Sequence, residues 1–348
     1  MNGAADNVAE VARRDPTMRD VAALAAVSLK TVSRVVNRED GVSPELRARV
    51  EEAVQLIGYR PNLTASSLRR SDRKTQAIGL LLEDVANPFS SALHRAVEDV
   101  AAARSCLVFA GSSDEDAAKE GELLRAFAHR RVDGLIVIPA GDDPSGLADE
   151  RRQGRPIVFV DRRATLHDAD SVTVDNRAGV ARAVRHLAGF RHRRIAFLAD
   201  LSSIWTATER YQGFVDGLLE SQIPLDPRLV RRDVHGIGPA RDAILELLHG
   251  PDPPTAIVAG QNLITIGAIR ALQALRRQRE VALIGFDDFV LADLLDPPVT
   301  VVAQDPGELG RVAAELLFAR LEGGPGEPRH VVVETTLVER GSGEIQPG

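Results

Sequence analysis

The residues best placed to do chemistry stand where apolar runs end. Asp84-Val85-Ala86-Asn87-Pro88-Phe89 follows one such run, and Asp161-Arg162, Asp175-Asn176, Gln261-Asn262 and Asp287-Asp288 follow others. Carboxylates, carboxamides and a guanidinium in this mixture offer paired donors and acceptors to a polar small molecule. No G-x-G-x-x-G follows the first run, and no Walker loop or G-x-S-x-G elbow occurs. His94, His129, His167, His186 and His192 are scattered without an i, i+4 pair, so they read as solvated surface histidines. No nucleophile–base pair or metal set supports catalysis, so we expect neither an enzyme nor a metal nor a cofactor.

The elements that position these ends alternate. From Gln76 onward, apolar segments such as AIGLLLED, CLVFAGS, VDGLIVIP, RPIVFVD, SVTVDN, RIAFLAD, AIVAG and VALIGFDD are separated by amphipathic helical segments. Near-continuous apolar strands between helices predict parallel sheets covered on both faces, in two doubly wound α/β subdomains. Ligands bind such sheets at the C-terminal ends of the strands.

A second candidate site precedes this body. Thr17 is a plausible N-cap with Asp20 completing the cap, and Val21, Leu24 and Ala25 recur at helical spacing. Ser28 can cap a second helix from about Leu29 to Val36, with Val32, Val35 and Val36 facing inward. Leu29, Lys30, Thr31, Ser33 and Arg34 remain near its start and outer face. A short helix, a tight turn and a polar-fronted second helix form a helix-turn-helix, whose second helix enters the major groove of DNA. Ser43-Pro44-Glu45 starts a third helix that ends at Gly58.

Charge is distributed unevenly. The net charge is −7, but residues 1–75 carry 13 Lys+Arg against 10 Asp+Glu, and the remainder 30 against 40. A basic head on an acidic body fits a chain that meets phosphate with one end. No apolar run approaches the ~18 residues needed to cross a bilayer, and MNGAADNVAEVARRDP lacks the apolar region of a secretory signal. These features predict a cytoplasmic protein with no membrane partner, on the nucleoid when bound to DNA. Cys106, the single cysteine, lies in SCLVFA and reads as a buried thiol.

The string DVAALAAVSLKTVSRVVN, followed by VSPELRARVEEAVQLIGYRPNLTASSLR, resembles the headpiece of the LacI (lactose-repressor) family of bacterial regulators across residues 17–69. The resemblance implies that Leu29 and Lys30 read base edges, and that Thr31, Ser33, Arg34 and Asn37 touch phosphate or bases. It implies a hinge helix over Asn62 to Arg69, with Leu68 wedged into the minor groove and Ala65 packed beside it. Leu29 is a mild departure, since an apolar side chain best meets a thymine methyl. NLTASSLR is too short to be a stable helix alone, so the hinge is expected to fold only on DNA.

A-N-P-F, F-V-D-R, V-D-N-x-x-G, E-R-x-x-G-F and G-F-D-D extend the resemblance to the body, for which it implies a periplasmic-binding-protein-like fold. By the same resemblance Asn87 and Phe89 line the cleft, Asp161 and Arg162 flank a ligand, and Arg210 and Asp287 clamp it. An Arg fork and a carboxylate suit vicinal hydroxyls, hence a carbohydrate or nucleoside effector. Phe89 and Trp205 are candidates for the face on which a sugar ring stacks. Gln261-Asn262 departs from the family's Asn-Asp, which leaves the effector open.

The expected layout is a disordered tail over 1–16, a helix-turn-helix domain over 17–61 and a hinge and linker over 62–75. An N-subdomain follows over 76–173 and 304–331, a C-subdomain over 174–303 and 332–342, and a tail over 343–348. The function implied is a repressor that binds a pseudo-palindromic operator in double-stranded DNA as a homodimer. A small molecule in the inter-subdomain cleft would control it. The tail lacks a leucine heptad, which favours a dimer over a tetramer. Two alternatives stay open: a regulator that answers to a protein partner instead of a small molecule, and a sugar-binding or sugar-converting α/β protein.

Overall fold

The computed structural model describes residues 16–36, 39–59, 75–141, 143, 145–324 and 326–348. The chain divides into two units, Met1–Thr75 and Gln76–Gly348.

The first unit holds helices α1 (Met18–Leu24), α2 (Leu29–Val36) and α3 (Pro44–Ile57). Each start has a local cause. Thr17 donates to Asp20 Oδ2 through both its backbone N–H (2.8 Å) and its hydroxyl (2.7 Å). Ser28 Oγ accepts from Thr31 N at 3.1 Å, and Ser43 Oγ accepts from Leu46 N at 3.3 Å. Gly58 closes α3 in the left-handed conformation, φ 64°. Val21, Ala25, Val32, Val35, Val50, Ala53 and Tyr59 form one small core. Arg49 on α3 donates to Ala25 O at 2.6 Å and so ties down the turn between α1 and α2.

The second unit is built on two six-stranded sheets of matching design. Sheet A contains β1 (Ala77–Leu82), β2 (Leu107–Ser112), β3 (Leu135–Val137), β4 (Ile157–Val160), β5 (Asp170–Val174) and β11 (His330–Val333). Its order is β11-β5-β4-β3-β1-β2, and every pairing is parallel. Sheet B contains β6 (Ile195–Leu198), β7 (Val230–Arg231), β8 (Ala256–Ala259), β9 (Ala282–Phe286), β10 (Thr300–Ala303) and β12 (Thr336–Val338), in the order β12-β10-β9-β8-β6-β7. There β12 runs antiparallel to β10. Helices α4 (Pro88–Ala102), α5 (Ala117–His129), α6 (Ser145–Arg152) and α11 (Pro306–Leu321) accompany sheet A. Helices α7 (Asn176–Gly189), α8 (Trp205–Glu220), α9 (Ile237–His249) and α10 (Asn262–Ala274) accompany sheet B. Apolar strands buried on both faces, such as β1, β4, β6 and β9, follow from this layering.

Chain crossings between the sheets come after Val174, after Ala303 and after Val333. They are tied to one another. Asp175 Oδ1, at the first, accepts from Thr335 N at 2.6 Å, at the third. Arg182 donates to Asp175 Oδ2 and to Thr335 Oγ1, both at 3.1 Å.

Several expectations need correction. The last crossing falls after Val333 rather than at 331/332, because β11 stays in register with β5 through Val333↔Val174. Residues 343–348 are not simply a tail. Ser342–Glu344 form a short 3-10 helix, Gly343 packs against Thr300 and Ile284, and Ser342 Oγ accepts from Thr300 N at 2.9 Å. Strand β2 is an edge strand with Leu107 and Phe109 exposed, so it is not covered on both faces. Cys106 is half-buried, though burial does push its thiol up to about 11. His192 is fully buried and bonds Thr255 Oγ1 (2.9 Å) and Ile345 O (2.7 Å) instead of facing solvent. His186 lies half-buried, between Glu344 at Nε2 (2.6 Å) and Glu339 at Nδ1 (3.8 Å).

Candidate functional site

The strand ends of the two sheets converge on a cavity of about 230 Å³. From sheet A it is lined by Glu83, Asn87, Phe89, Glu115, Asp161 and Arg162. The other half supplies Ile204, Thr206, Ala207, Arg210, Gly260, Gln261 and Asp287, and Gln304 comes from the second crossing.

Two aspartates hold matching posts. Asp161 follows β4 and Asp287 follows β9, the equivalent strand of the other sheet. Both adopt the left-handed conformation, φ 68° and 69°, which Asp tolerates better than most side chains. Each donates its backbone N–H across to the neighbouring strand at 2.9 Å, Asp161 to Val172 O and Asp287 to Val302 O. Both side chains are buried, and burial pushes both carboxyls up, Asp161 to about 6. The guanidinium of Arg210 opposes the rise at both, and Arg162 opposes it at Asp161.

Arg210 shows why the motifs around it have their spacing. It stands on α8 one turn before Gly213, where a Cβ would lie 2.2 Å from Arg177 O of α7. Only glycine lets the two helices approach so closely. That approach sets Arg210 Nε 2.7 Å from Asn176 Oδ1, while its Nη1 donates to Gly260 O at 2.9 Å. The guanidinium also lies 3.8 Å from the Phe286 ring centroid. Gly260 has its own constraint, since a Cβ there would meet Leu198 O at 2.7 Å.

On the opposite wall, Arg162 forks onto Glu115, with Nη1 2.8 Å from Oε2 and Nη2 on Oε1. Its Nη1 also donates to Pro139 O at 2.7 Å, and its Nε lies 3.8 Å from Asp161 Oδ2. Glu83 accepts from Ser90 Oγ at 2.6 Å. Enclosure, reinforced by Asp161, pushes the Glu83 carboxyl up to about 7 despite that hydrogen bond and the nearby Arg162.

The two halves are joined across the cavity floor. Asn262 Nδ2 donates to Asn87 Oδ1 at 2.8 Å, and the same oxygen accepts from Phe89 N at 3.1 Å as the cap of α4. Asn262 is buried behind the lining rather than part of it. Gln261 Oε1 caps α10 by accepting from Leu263 N (2.8 Å) and Ile264 N (3.3 Å). The amide pair that departs from the family pattern therefore serves as a helix cap and a strut. Trp205 lies outside the main cavity. It is half-buried in a smaller pocket with Pro139, Thr165 and Ser203, because the helical turn at the start of α8 presents Ile204 and Ala207 instead.

Sequence reasoning missed Glu83, Glu115 and Gln304. Glu83 looked like the last residue of a strand, and Glu115 sits in the acidic loop SSDED at φ 59°. Gln304 donates to Asp287 Oδ1, a partner 17 residues away that no local pattern marks.

In the first unit, Leu29 and Lys30 are exposed at the start of α2. Thr31, Ser33 and Arg34 are half-buried, and Thr31 Oγ1 is 2.9 Å from Ser28 Oγ. Thr17 is exposed and engaged with Asp20. Asn37, Asn62, Ala65 and Leu68 fall outside the described residues.

Family models match parts of both units of the chain. Residues 17–62 match the model of bacterial regulatory proteins of the lacI family, and residues 184–343 match the periplasmic binding protein-like domain. The chain is 30% identical to the HTH-type transcriptional repressor CytR of Escherichia coli (strain K12), over 95% of this chain and 97% of that one. A solved complex of the transcriptional regulator CelR with cellobiose is 32% identical, covers 94% of this chain and 99% of its own, and superposes with a TM-score of 0.70. The Lac repressor bound to ONPG is 25% identical, covers 94% and 100%, and has a TM-score of 0.83. No described helix is long and apolar enough to cross a membrane. The chain belongs to the LacI family of bacterial regulatory proteins: it is a DNA-binding transcriptional regulator with a periplasmic-binding-protein-like body, and not an enzyme.

Proposed function

We propose that this regulator is a cytoplasmic repressor that binds a pseudo-palindromic operator as a homodimer and is controlled by a sugar or nucleoside in the cavity of its body. The observation that carries the reading is the cavity itself. Two strand-end aspartates, two buried arginines and the Asn87–Asn262 strut come from both halves of the body, so an occupant would change the contact between them. CelR binds cellobiose in its solved complex. At about 230 Å³ the cavity is smaller than the ~300–1,000 Å³ of drug-sized pockets, which suits one sugar ring.

Lys30, exposed at the N-terminal end of α2, is the donor we assign to guanine N7 and O6, with Leu29 beside it for a thymine methyl. Val290, Leu291 and Leu294 are exposed together in the connection between β9 and β10, and support a self-association surface. Fluorescence anisotropy with the full chain tests the reading. Its own upstream DNA should bind at least about 10³-fold tighter than scrambled DNA at equal salt. Lys30→Ala should relax the preference at one base pair per half-site, costing ~1–3 kcal/mol there. Equal affinity for both DNAs would remove the proposal.

A further inference from the structure

The enclosed carboxyls of the cavity outnumber its cations. Glu83, Glu115, Asp161 and Asp287 face two guanidiniums, Arg162 and Arg210, while Asp200, also buried in the lining, has His235 Nδ1 at 2.8 Å. Both are already committed. Arg162 forks onto Glu115 and Pro139 O, and Arg210 donates to Asn176 and Gly260 O while facing Asp161 and Asp287. Asp287 has further donors in Gln304 and the backbone of Asn262. Glu83 has the Ser90 hydroxyl, and Asp161 has the Arg162 Nε at 3.8 Å. Glu83 and Asp161 thus share a cavity wall whose one guanidinium, Arg162, is already forked onto Glu115.

Two orphaned atoms leave room for further polar contacts with a ligand. Gln304 Oε1 is buried without a donor, and Arg162 Nε is buried without an acceptor at hydrogen-bond distance. A surplus of carboxyls over guanidiniums matches an ammonium, which brings three N–H donors and a charge, while Gln304 Oε1, on the Asp287 side, is open to a ligand hydroxyl. The orphaned Nε–H matches a hydroxyl or ring oxygen. A phosphate ester or sugar acid would instead add to the like-charge repulsion.

We propose that the cavity selects an amino sugar, its ammonium seated between Glu83 and Asp161, with Glu83 as the residue that sets the preference. This rests on the reading of the cavity as the effector site. Isothermal titration of the full chain at pH 7.5 tests it, using neutral aldohexoses, the 2-amino sugars of matched configuration and their 6-phosphates. The amino sugar should bind at least tenfold tighter than its neutral match. Glu83→Gln should reduce the ratio of amino-sugar to neutral-sugar affinity to about one, and Glu83→Asp should keep part of it. Unfolding curves of both variants verify the fold. A neutral sugar that binds as tightly as its amine, or a phosphate that binds tightest, overturns the amino-sugar inference and leaves the sugar site standing. If no member of the panel binds, the sugar reading falls with it.

Discussion

Asp161 and Asp287 occupy equivalent posts in the two halves of the body, share a backbone conformation and are equally buried, yet their surroundings differ. Asp287 sits among donors: Arg210, Gln304 and the Asn262 backbone. Asp161 sits beside a second carboxyl, Glu83, and beside an arginine that Glu115 already holds. Duplication of one α/β plan has thus produced one satisfied wall and one wall that carries excess negative charge. A cavity with this asymmetry orients its occupant, because the two ends of a ligand meet different fields.

Four substitutions probe that contrast. The largest effect is expected from Arg162→Met. It strands Glu83, Glu115 and Asp161 together, so urea unfolding at pH 8 should show a loss of ~3–5 kcal/mol, recovered in part at pH 5 where the carboxyls can hold protons. A loss independent of pH would mean that Arg162 acts by packing and not by charge.

Glu83 gives the next effect, through pH. Unfolded, it releases its proton near 4.5; folded, it keeps the proton to about 7. Unfolding therefore releases a proton between these values, and the group's contribution to stability declines as pH rises through that window. The decline is on the order of 3 kcal/mol. Stability curves of the wild type and Glu83→Gln should converge near pH 4.5 and separate above it, with the variant the more stable at pH 8. Parallel curves would show that Glu83 is solvated.

Smaller changes follow for the amide pair. Asn262→Ala removes the strut to Asn87 and should cost about 1–2 kcal/mol, since the cap oxygen of Asn87 keeps its bond to Phe89 N. Gln261→Ala removes a helix cap and should cost about 1 kcal/mol with the cavity charge intact. Should Gln261→Ala weaken ligand binding more than it weakens folding, the side chain touches the ligand after all.

Legibility in the sequence followed the range of the interactions. Local signals placed α1 to α3, since Ser28, Ser43-Pro44 and Gly58 act within one turn of their own position. Apolar runs located β1, β4, β6, β8 and β9, whose burial on both faces leaves a plain signature. Strand ends gave Asn87, Asp161, Arg162, Gln261 and Asp287, all of which line the cavity. Contacts set by the tertiary fold were not legible. Trp205 turned away by one step of helix, Glu83 and Gln304 met partners from distant segments, and β10, β11 and β12 are short strands ordered by pairing. The exposure of β2 has the same origin, because an apolar run does not reveal whether a sheet continues beyond it.

The central claim is that occupancy of the body's cavity governs DNA binding by the head. Its most direct test measures the affinity of the full chain for its operator with and without a sugar shown to bind the body, in the wild type and in Asp287→Asn. We predict a ligand-dependent change of about 5–150-fold in the wild type, as a coupling of ~1–3 kcal/mol requires. In Asp287→Asn the affinity for DNA alone should be unchanged and the ligand response lost. A sugar that binds the cavity and leaves the operator affinity of the wild type unaltered would contradict the account.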